Sequence, residues 1–453
     1  METADLVKKY SVPVPRYTSY PTVPYWDLTS FSYEKWIDSV KRNFEISNKT
    51  SGISIYIHLP FCENLCTYCG CNTRITKNHT VELPYIDAVI KEWELYKRNF
   101  VEKPIIKELH LGGGTPTFFS AENLKYLIDS IFKDCELHAD AEFSFEAHPA
   151  NTTEQHLQTL FDLGFRRLSL GIQDFDVKVQ KIINRMQSFE QVEEVTKNAR
   201  KIGYTSINYD LIYGLPLQTI DGLIKTIQQV NILRPDRIAF YSYAHVPWIK
   251  PGQRMFTELD LPDADAKQKL YETGRRLFTE AGYEEVGMDH FALRSDSLYK
   301  AQGNLSLHRN FMGYTHQYTQ LMIGLGVSSI SDTWDAFAQN VKTVEEYKKL
   351  VADNIIPVFK GHLLNAEDLL MRKHILNIMC RAKTSWTESE LLNAEFSLAL
   401  DNLDEVIKDE LVIKSDYNLQ VTAKGKRFLR NICAAFDARL WKNQPEKQLF
   451  SLG

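Results

Sequence analysis

The 453 residues suffice for two to four domains and a large buried core. With 53 Lys and Arg against 58 Asp and Glu, the formal net charge is −5. That argues against a sequence-independent grip on nucleic acid, which needs a cationic surplus to displace counterions. No run approaches the roughly 18 apolar residues of a membrane span; the longest, Leu321 to Ile330, is short and glycine-rich. The opening METADLVKKY lacks the apolar stretch of a secretory signal. A soluble, cytoplasmic protein with no nucleic-acid or membrane partner is expected.

Six segments rich in β-branched and aromatic residues recur along the first half of the chain. They are ISIYIHLP from Ile53, IKELHLGGG from Ile106, AEFSFEAHP from Ala141, RRLSLGIQ from Arg166, SINYDLIYGLP from Ser206 and RIAFYSYAHVP from Arg237. Helical periodicity fills the intervals, as in Tyr85 to Phe100, Ala121 to Lys133 and Ile220 to Leu233. Such alternation gives a parallel sheet with helical crossovers, and six repeats favour an incomplete (β/α)6 barrel over an open sheet. The glycine- and cysteine-rich stretches follow the C-terminal ends of the segments, where parallel α/β folds build their sites.

The expected organisation has four parts. An N-terminal segment over 1–50 contributes to the substrate pocket, and the partial barrel covers 51–290. An extension with site loops spans 291–365, and a mainly helical, winged-helix-like lid domain spans 366–453. Short alternating runs around Ser415 to Asn418 followed by a basic helix suggest the wing. The acidic balance and a wing without a basic cluster favour packing or lid duty over DNA binding.

Seven cysteines are present, and Cys62, Cys66, Cys69 and Cys71 lie within ten residues directly after the first segment. Cys135, Cys380 and Cys433 are scattered and read as ordinary buried thiols. A secreted disulfide scaffold would be shorter and more evenly stapled. Three thiolates at Cys62-x3-Cys66-x2-Cys69 can converge on one inorganic centre. Closely spaced cysteines favour an iron–sulfur cluster, with structural zinc as the alternative. Three ligands on a four-iron cluster leave one iron open. Gly112, Gly113 and Gly114 follow the second segment. They form a tight turn or clear side chains so that backbone reaches a ligand, and they lack the spacing of a dinucleotide fingerprint.

The C-x3-C-x-aromatic-C loop, with Tyr68 as its aromatic, resembles the signature of the radical S-adenosylmethionine (radical SAM) superfamily. The resemblance implies that the open iron chelates SAM, whose one-electron cleavage yields methionine and a 5′-deoxyadenosyl radical. The glycine run then corresponds to the segment holding the amino-acid end of SAM. Further motifs appear in the order of one family. They are PRYTSYPT from Pro15, YIHLPFCENLCTYCGCN from Tyr56, LGGGTPT from Leu111, RRLSLGIQDF from Arg166, INYDLIYGLP from Ile207, YAHVP from Tyr243, GMDHFA from Gly287, LHRNFMGYT from Leu307 and VTAKG from Val421. From about Tyr10 to about Asp437 the chain resembles the oxygen-independent coproporphyrinogen III oxidases of haem biosynthesis.

That resemblance implies oxidative decarboxylation of two propionates of coproporphyrinogen III to vinyls, giving protoporphyrinogen IX. It implies one [4Fe–4S] cluster on Cys62, Cys66 and Cys69, and two SAM molecules. The first SAM is expected at Tyr56, Tyr68, Gly113, Glu146 and Ile330. The second is expected at Gly114, Thr115, Gln173, Arg185, Asp210 and Ala244. An ionised carboxylate such as Glu146 or Asp210 accepts from both hydroxyls of a ribose. A fourth ligand at Cys71 would block the open iron; the resemblance puts this cysteine near the SAM site, which implies a catalytic or positioning role, with a plain core thiol as the alternative. Arg16 and Arg309 are candidates for the substrate carboxylates, since the guanidinium fork matches two oxygens. Tyr20, Asp289 and His290 either complete that pocket or order its loops. An electron donor and an electron acceptor are required, and a monomer is the expected state.

Two positions depart from the family's habit. His148 stands where an acidic residue is usual, and His316 where Thr is usual, which leaves room for a specialised paralogue. Three rival readings follow from the same motifs. A haem chaperone of the superfamily would retain haem, a haem-degrading radical SAM methyltransferase would transfer methyl from SAM, and a zinc-organised binding protein would contain no iron. Cys71 and PRYTSYPT are typical of the oxidases and generally lacking in the chaperones.

Overall fold

A computed structural model describes residues 3–442. The chain divides into two compact units: 31–283 with 319–361, and 1–30 with 284–318 and 362–453. The breaks at 283/284 and 361/362 lie close to the boundaries expected at 290 and 365, whereas the first falls at 30/31 in place of 50 and a further one at 318/319 divides the expected extension. Helix Tyr33–Ser47 belongs with the barrel unit, and the other unit is assembled from three stretches distant in sequence.

In the first unit, six strands run parallel in sequence order: β1 Ile53–Leu59, β2 Ile105–Gly113, β3 Glu136–Ala147, β4 Phe165–Gln173, β5 Ser206–Tyr213 and β6 Arg237–Ser242. The crossovers include helices α1 Glu82–Lys97, α2 Ala121–Phe132, α3 Phe189–Ile202 and α4 Ile220–Leu233. The six segments and the three helices expected from periodicity are all present. β3 begins earlier than expected, because Glu136 and Leu137 pair with Ile105 and Ile106 although the run ELHAD is mostly exposed.

The ring of strands does not close. β1 has β2 on one side and β7 Met322–Leu325, also parallel, on the other. β8 Ile330–Asp332 and β9 Ala336–Asn340 continue the sheet in antiparallel fashion. The apolar run at Leu321 to Ile330 is thus a strand, a turn and the start of the next strand. Among the described residues no helix is long and apolar enough to cross a membrane.

Two features place the site. Parallel pairing leaves every β1–β6 C-terminus at one end of the sheet. Burial of Ile53, Ile55, Ile57 and Leu59 turns the alternate residues Tyr56 and His58 to the opposite face of β1.

The second unit is mainly helical. Its core gathers Leu6, Tyr10 and Tyr17 with Leu298, Tyr314, Met371, Ile375, Phe396 and Phe436, and includes Cys380 and Cys433. Cys135, in the barrel unit, is half-buried and donates to the Ile131 carbonyl at 3.1 Å. Around the expected wing, Val412–Lys414 and Asn418–Val421 form an antiparallel hairpin that Lys383–Ser385 extends.

Candidate active site

A cavity of about 590 Å³ opens at the C-terminal ends of β1 to β6. It is lined by all four clustered cysteines and by Tyr68, Gly113, Gly114, Thr115, Glu146, Gln173, Arg185 and Asp210. Three expected cofactor contacts are not among the lining residues. Tyr56 stands one layer below, where its hydroxyl meets His58 Nδ1 at 3.0 Å and its ring stacks on His110. Ala244 offers only its carbonyl to Gln253, and Ile330 lies on β8, its carbonyl against Gly324, the residue that pairs with Tyr56.

The cysteine loop has little apolar surface of its own to hold it: Leu65 is exposed, Tyr68 is partly buried against a neighbouring cluster, and the remaining side chains are thiols and polar groups. Its ends are tied where Phe61–Cys62 pairs with Arg74–Ile75. Its middle is held by donors from elsewhere. Asn184 Nδ2 donates to the Leu65 carbonyl at 2.8 Å, Gln253 Nε2 to that of Tyr68 at 3.3 Å, and Lys250 Nζ to that of Cys71 at 3.2 Å. Thr67 N–H and hydroxyl reach the Ile183 and Ile182 carbonyls.

The glycine run is set by close approach. Gly113 has φ +112°, and a Cβ there would sit 2.7 Å from the His58 ring. Gly114 lies against Pro60, whose carbonyl oxygen a Cβ would meet at 2.6 Å. Backbone therefore packs directly beneath the cysteine loop, where a side chain has no room.

The thiols differ in character. Cys71 donates to Cys69, and with its backbone N–H and the charges of Lys250 and Arg185 it brings the Cys69 thiol down to about 6 against burial. Burial pushes Cys62 up to about 11, opposed by the Thr115 hydroxyl at 3.3 Å. The hydrogen bond to Cys69 and burial push Cys71 upward. Arg185 Nη1 donates to Cys66 Sγ at 3.6 Å while Nη2 and Nε hold the Gly171 carbonyl at 2.6 and 3.2 Å. A half-buried guanidinium beside the thiols favours their ionised, metal-binding form.

The carboxylates sit opposite. Glu146 Oε2 accepts from Gly113 N–H at 3.3 Å, and His110 lies 3.6 Å from Oε1. Burial opposes its charge, but His110 and the Gly113 N–H keep the carboxyl below its ordinary range. Asp210 accepts from Asn208 Nδ2 at 2.8 Å and from the Ser169 hydroxyl at 3.0 Å. Burial, with the Glu146 charge, still raises it to about 6. His148 accepts the Ala150 N–H on Nδ1, and burial with the Arg185 charge pushes it down to about 3, so it is a neutral donor through Nε2.

Among the described residues no three His, Cys, Asp or Glu side chains are grouped to hold a single metal ion. The donor set nonetheless suits an iron–sulfur group with a polar organic cofactor beside it. Soft thiols lie together under a cation, and two carboxylates face them. Gln173, 8% exposed at φ +64°, also leaves its buried Oε1 without a hydrogen-bond partner among the described residues.

Arg16 and Arg309 come together in the helical unit, outside the cavity lining. Arg309 is 5% exposed, lies over the Tyr314 ring and donates through Nη2 to the Arg16 carbonyl at 3.3 Å. Its Nε and the Asp289 Oδ2 are buried without hydrogen-bond partners among the described residues. His290 meets Tyr314 edge-on, and Tyr20 is buried in the core of that unit. His316 Nδ1 contacts the Ser297 hydroxyl at 3.3 Å.

Several contributors escaped the sequence reading. His58 and His110 were visible only through their alternation with apolar residues, which puts them on the face of Tyr56. Asn184, Lys250 and Gln253 left no signal, being far from the cysteines in sequence.

The chain also matches known proteins over its length. The Radical SAM superfamily model covers residues 56–230. A protein of Synechocystis sp. named oxygen-independent coproporphyrinogen III oxidase is 37% identical over 99% of this chain and 97% of its own. One of the same name from Helicobacter pylori is 38% identical over 97% and 98%. The solved structure described as "Coproporphyrinogen III oxidase (HemN) from Escherichia coli is a Radical SAM enzyme" superposes with a TM-score of 0.89 at 35% identity, covering 96% of this chain and 98% of that one. With thiols, glycines and carboxylates gathered at the strand ends and relatives of this identity along nearly every residue, the chain belongs to the oxygen-independent coproporphyrinogen III oxidase family of radical SAM proteins.

Proposed function

We infer that this chain oxidatively decarboxylates two propionates of coproporphyrinogen III to vinyls without oxygen, giving protoporphyrinogen IX. The convergence of cysteine loop, glycine turn, Glu146 and Asp210 on one cavity carries this reading. The family implies a [4Fe–4S] cluster and SAM. When bound, they would supply a 5′-deoxyadenosyl radical able to take a hydrogen atom from a propionate β-carbon; release of CO2 with transfer of one electron to a separate acceptor would then leave the vinyl.

Cys62, Cys66 and Cys69 are the ligands we assign to the cluster, with Arg185 stabilising their thiolates. Two SAM molecules are proposed along the cavity. Glu146, with the Gly113 backbone, orients the first, for which Tyr56, Tyr68 and Ile330 were also expected. Asp210, Arg185 and Gln173 orient the second beside Gly114, Thr115 and Ala244. Glu146 stays ionised and accepts from hydroxyl groups; Gln173 Oε1 is an acceptor waiting for a donor. Cys71 serves in positioning or catalysis, and Arg16 and Arg309 are assigned to substrate carboxylates.

An anaerobic assay with dithionite, SAM and coproporphyrinogen III tests the reading. Protoporphyrinogen formed together with 5′-deoxyadenosine supports it. SAM cleavage without vinyl formation, or haem retention without cleavage, would refute it.

A further inference from the structure

Gln173, the last residue of β4, stands in a backbone conformation that a long side chain rarely adopts. Its φ is +64°, and the Asp174 N–H folds back to the Ile172 carbonyl at 2.8 Å, closing a tight turn about it. The β4–β5 register slips at the same point, with Gly171 facing Asp210 and Gln173 facing Leu211. Such a conformation is strained and persists only where its surroundings enforce it. The turn also aims the side chain. Nε2 lies over Gly171, where a Cβ would meet it at 2.9 Å, and the buried Oε1 has no hydrogen-bond partner among the described residues.

The enforcement comes from behind the cavity. Asp174 is fully buried and is held by three neutral donors. Its Oδ1 accepts from the Thr226 hydroxyl on α4 at 2.6 Å and from the Asp176 N–H at 2.8 Å; its Oδ2 accepts from Gln218 Nε2 at 2.7 Å. Gln218 in turn fastens the loop after β5, donating to the Ile212 carbonyl at 3.0 Å and accepting from the Gly214 N–H at 2.7 Å. Two further amides grip the backbone of the turn: Gln187 Nε2 donates to the Ile172 carbonyl and Gln180 Nε2 to that of Asp174. Asp174, Gln218 and Thr226 do not line the cavity. Burying a carboxylate on neutral donors is costly, and this one ties β4, α4 and the β5 loop together immediately behind the one left-handed residue of β4.

On the reading of the site given above, the cavity takes SAM, whose hydroxyl, amine and ammonium groups are donors. We propose that Asp174 is a positioning residue for this cofactor and acts through Gln173, holding the left-handed turn so that Oε1 meets a donor of the bound molecule.

A double-mutant cycle tests this. SAM is titrated by calorimetry, without reductant, into the reconstituted holoenzyme as wild type, D174N, Q173G and D174N/Q173G. In D174N the Asp176 N–H claims the amide oxygen, the new NH2 opposes that of Gln218, and the turn loosens. Q173G deletes the acceptor and the strain together, since glycine tolerates positive φ. Each single variant should weaken SAM binding about tenfold, and the double variant no more than about twofold beyond Q173G. Losses that multiply, or a D174N protein that binds SAM as the wild type does, overturn the inference, because a merely structural carboxylate acts independently of Gln173. T226V removes one of the three donors to Asp174 and is read through the same cycle, with the same outcomes deciding, should D174N fail to fold. Wild-type holoenzyme that binds no SAM would instead refute the proposed function, and this inference with it.

Discussion

Replacing Asp210 by Asn should stabilise the protein near neutral pH while weakening its hold on SAM. In the folded chain the Asp210 carboxyl is raised to about 6, first by burial and then by Glu146, against an ordinary value of 3.8. A raised acid is one the fold prefers to keep protonated. Below 3.8 it is protonated folded or unfolded and contributes no difference. As pH rises from 3.8 through 6 the unfolded chain ionises freely while the folded one resists, so stability falls and then levels off. At 1.36 kcal/mol per pKa unit the accumulated cost is at most about 3 kcal/mol. The isosteric amide keeps both partners. Its oxygen accepts from Asn208 Nδ2, and its NH2 donates to the Ser169 hydroxyl, which rotates to accept. Urea unfolding of the cluster-free protein at pH 7.5 should show D210N more stable by up to about 3 kcal/mol, and the difference should vanish near pH 4. His148 titrates in the opposite sense but is common to both proteins. A D210N variant destabilised at pH 7.5, and more so there than near pH 4, would refute the argument, showing that the charged carboxylate is a stabilising element. Such a gain in stability at a binding position is the usual exchange between fold and function.

Gly113→Ala should lose about 2–4 kcal/mol, from backbone strain and from pushing the His58 ring off its bonds to Tyr56 and the Asn72 carbonyl; chemical denaturation reads this directly. Cys71→Ser should retain the iron–sulfur absorbance yet lose vinyl formation, whereas Ser at Cys62, Cys66 or Cys69 should lose the absorbance itself. Gln253→Leu removes the donor shared by the Tyr68 and Ala244 carbonyls, and should raise the KM for SAM and speed loss of iron to a chelator. Arg309→Lys keeps the charge but not the planar contact with Tyr314; it should raise the KM for coproporphyrinogen and leave that for SAM unmoved.

Local pattern carried most of the barrel. Val, Ile, Tyr and Phe in short runs between helical stretches marked all six strands, because a buried parallel sheet demands that composition. β3 was shortened where Glu136 to Asp140 carry polar residues, since pairing with β2 rather than apolar burial extends that strand. The assembly of the helical unit was not legible. Leu6, Leu298 and Met371 share one core although 292 and 73 residues separate them in turn, and periodicity speaks only of neighbours. Glu92 shows the same limit. It reads as a polar helix position, yet it is buried, accepts from Gly326 N–H, Asn340 and Tyr347, and is raised to about 7 by burial.

The site divides along the same line. Cysteine spacing and the glycine run were readable because the chemistry is local: three thiols close enough to share one centre, and backbone close enough to pass beneath them. What fixes that chemistry in place is not local. Carbonyls of Leu65, Tyr68 and Cys71 are held by Asn184, Gln253 and Lys250, which lie 119, 185 and 179 residues away. With Leu65 exposed and Tyr68 only partly buried, the loop buries little apolar surface of its own, and three borrowed donors help to select its conformation. The same stretch that lends Lys250 and Gln253 inward turns Trp248, Ile249 and Met255 outward. A segment held by its own contacts outside the loop thereby sets the geometry of thiols far from it in sequence.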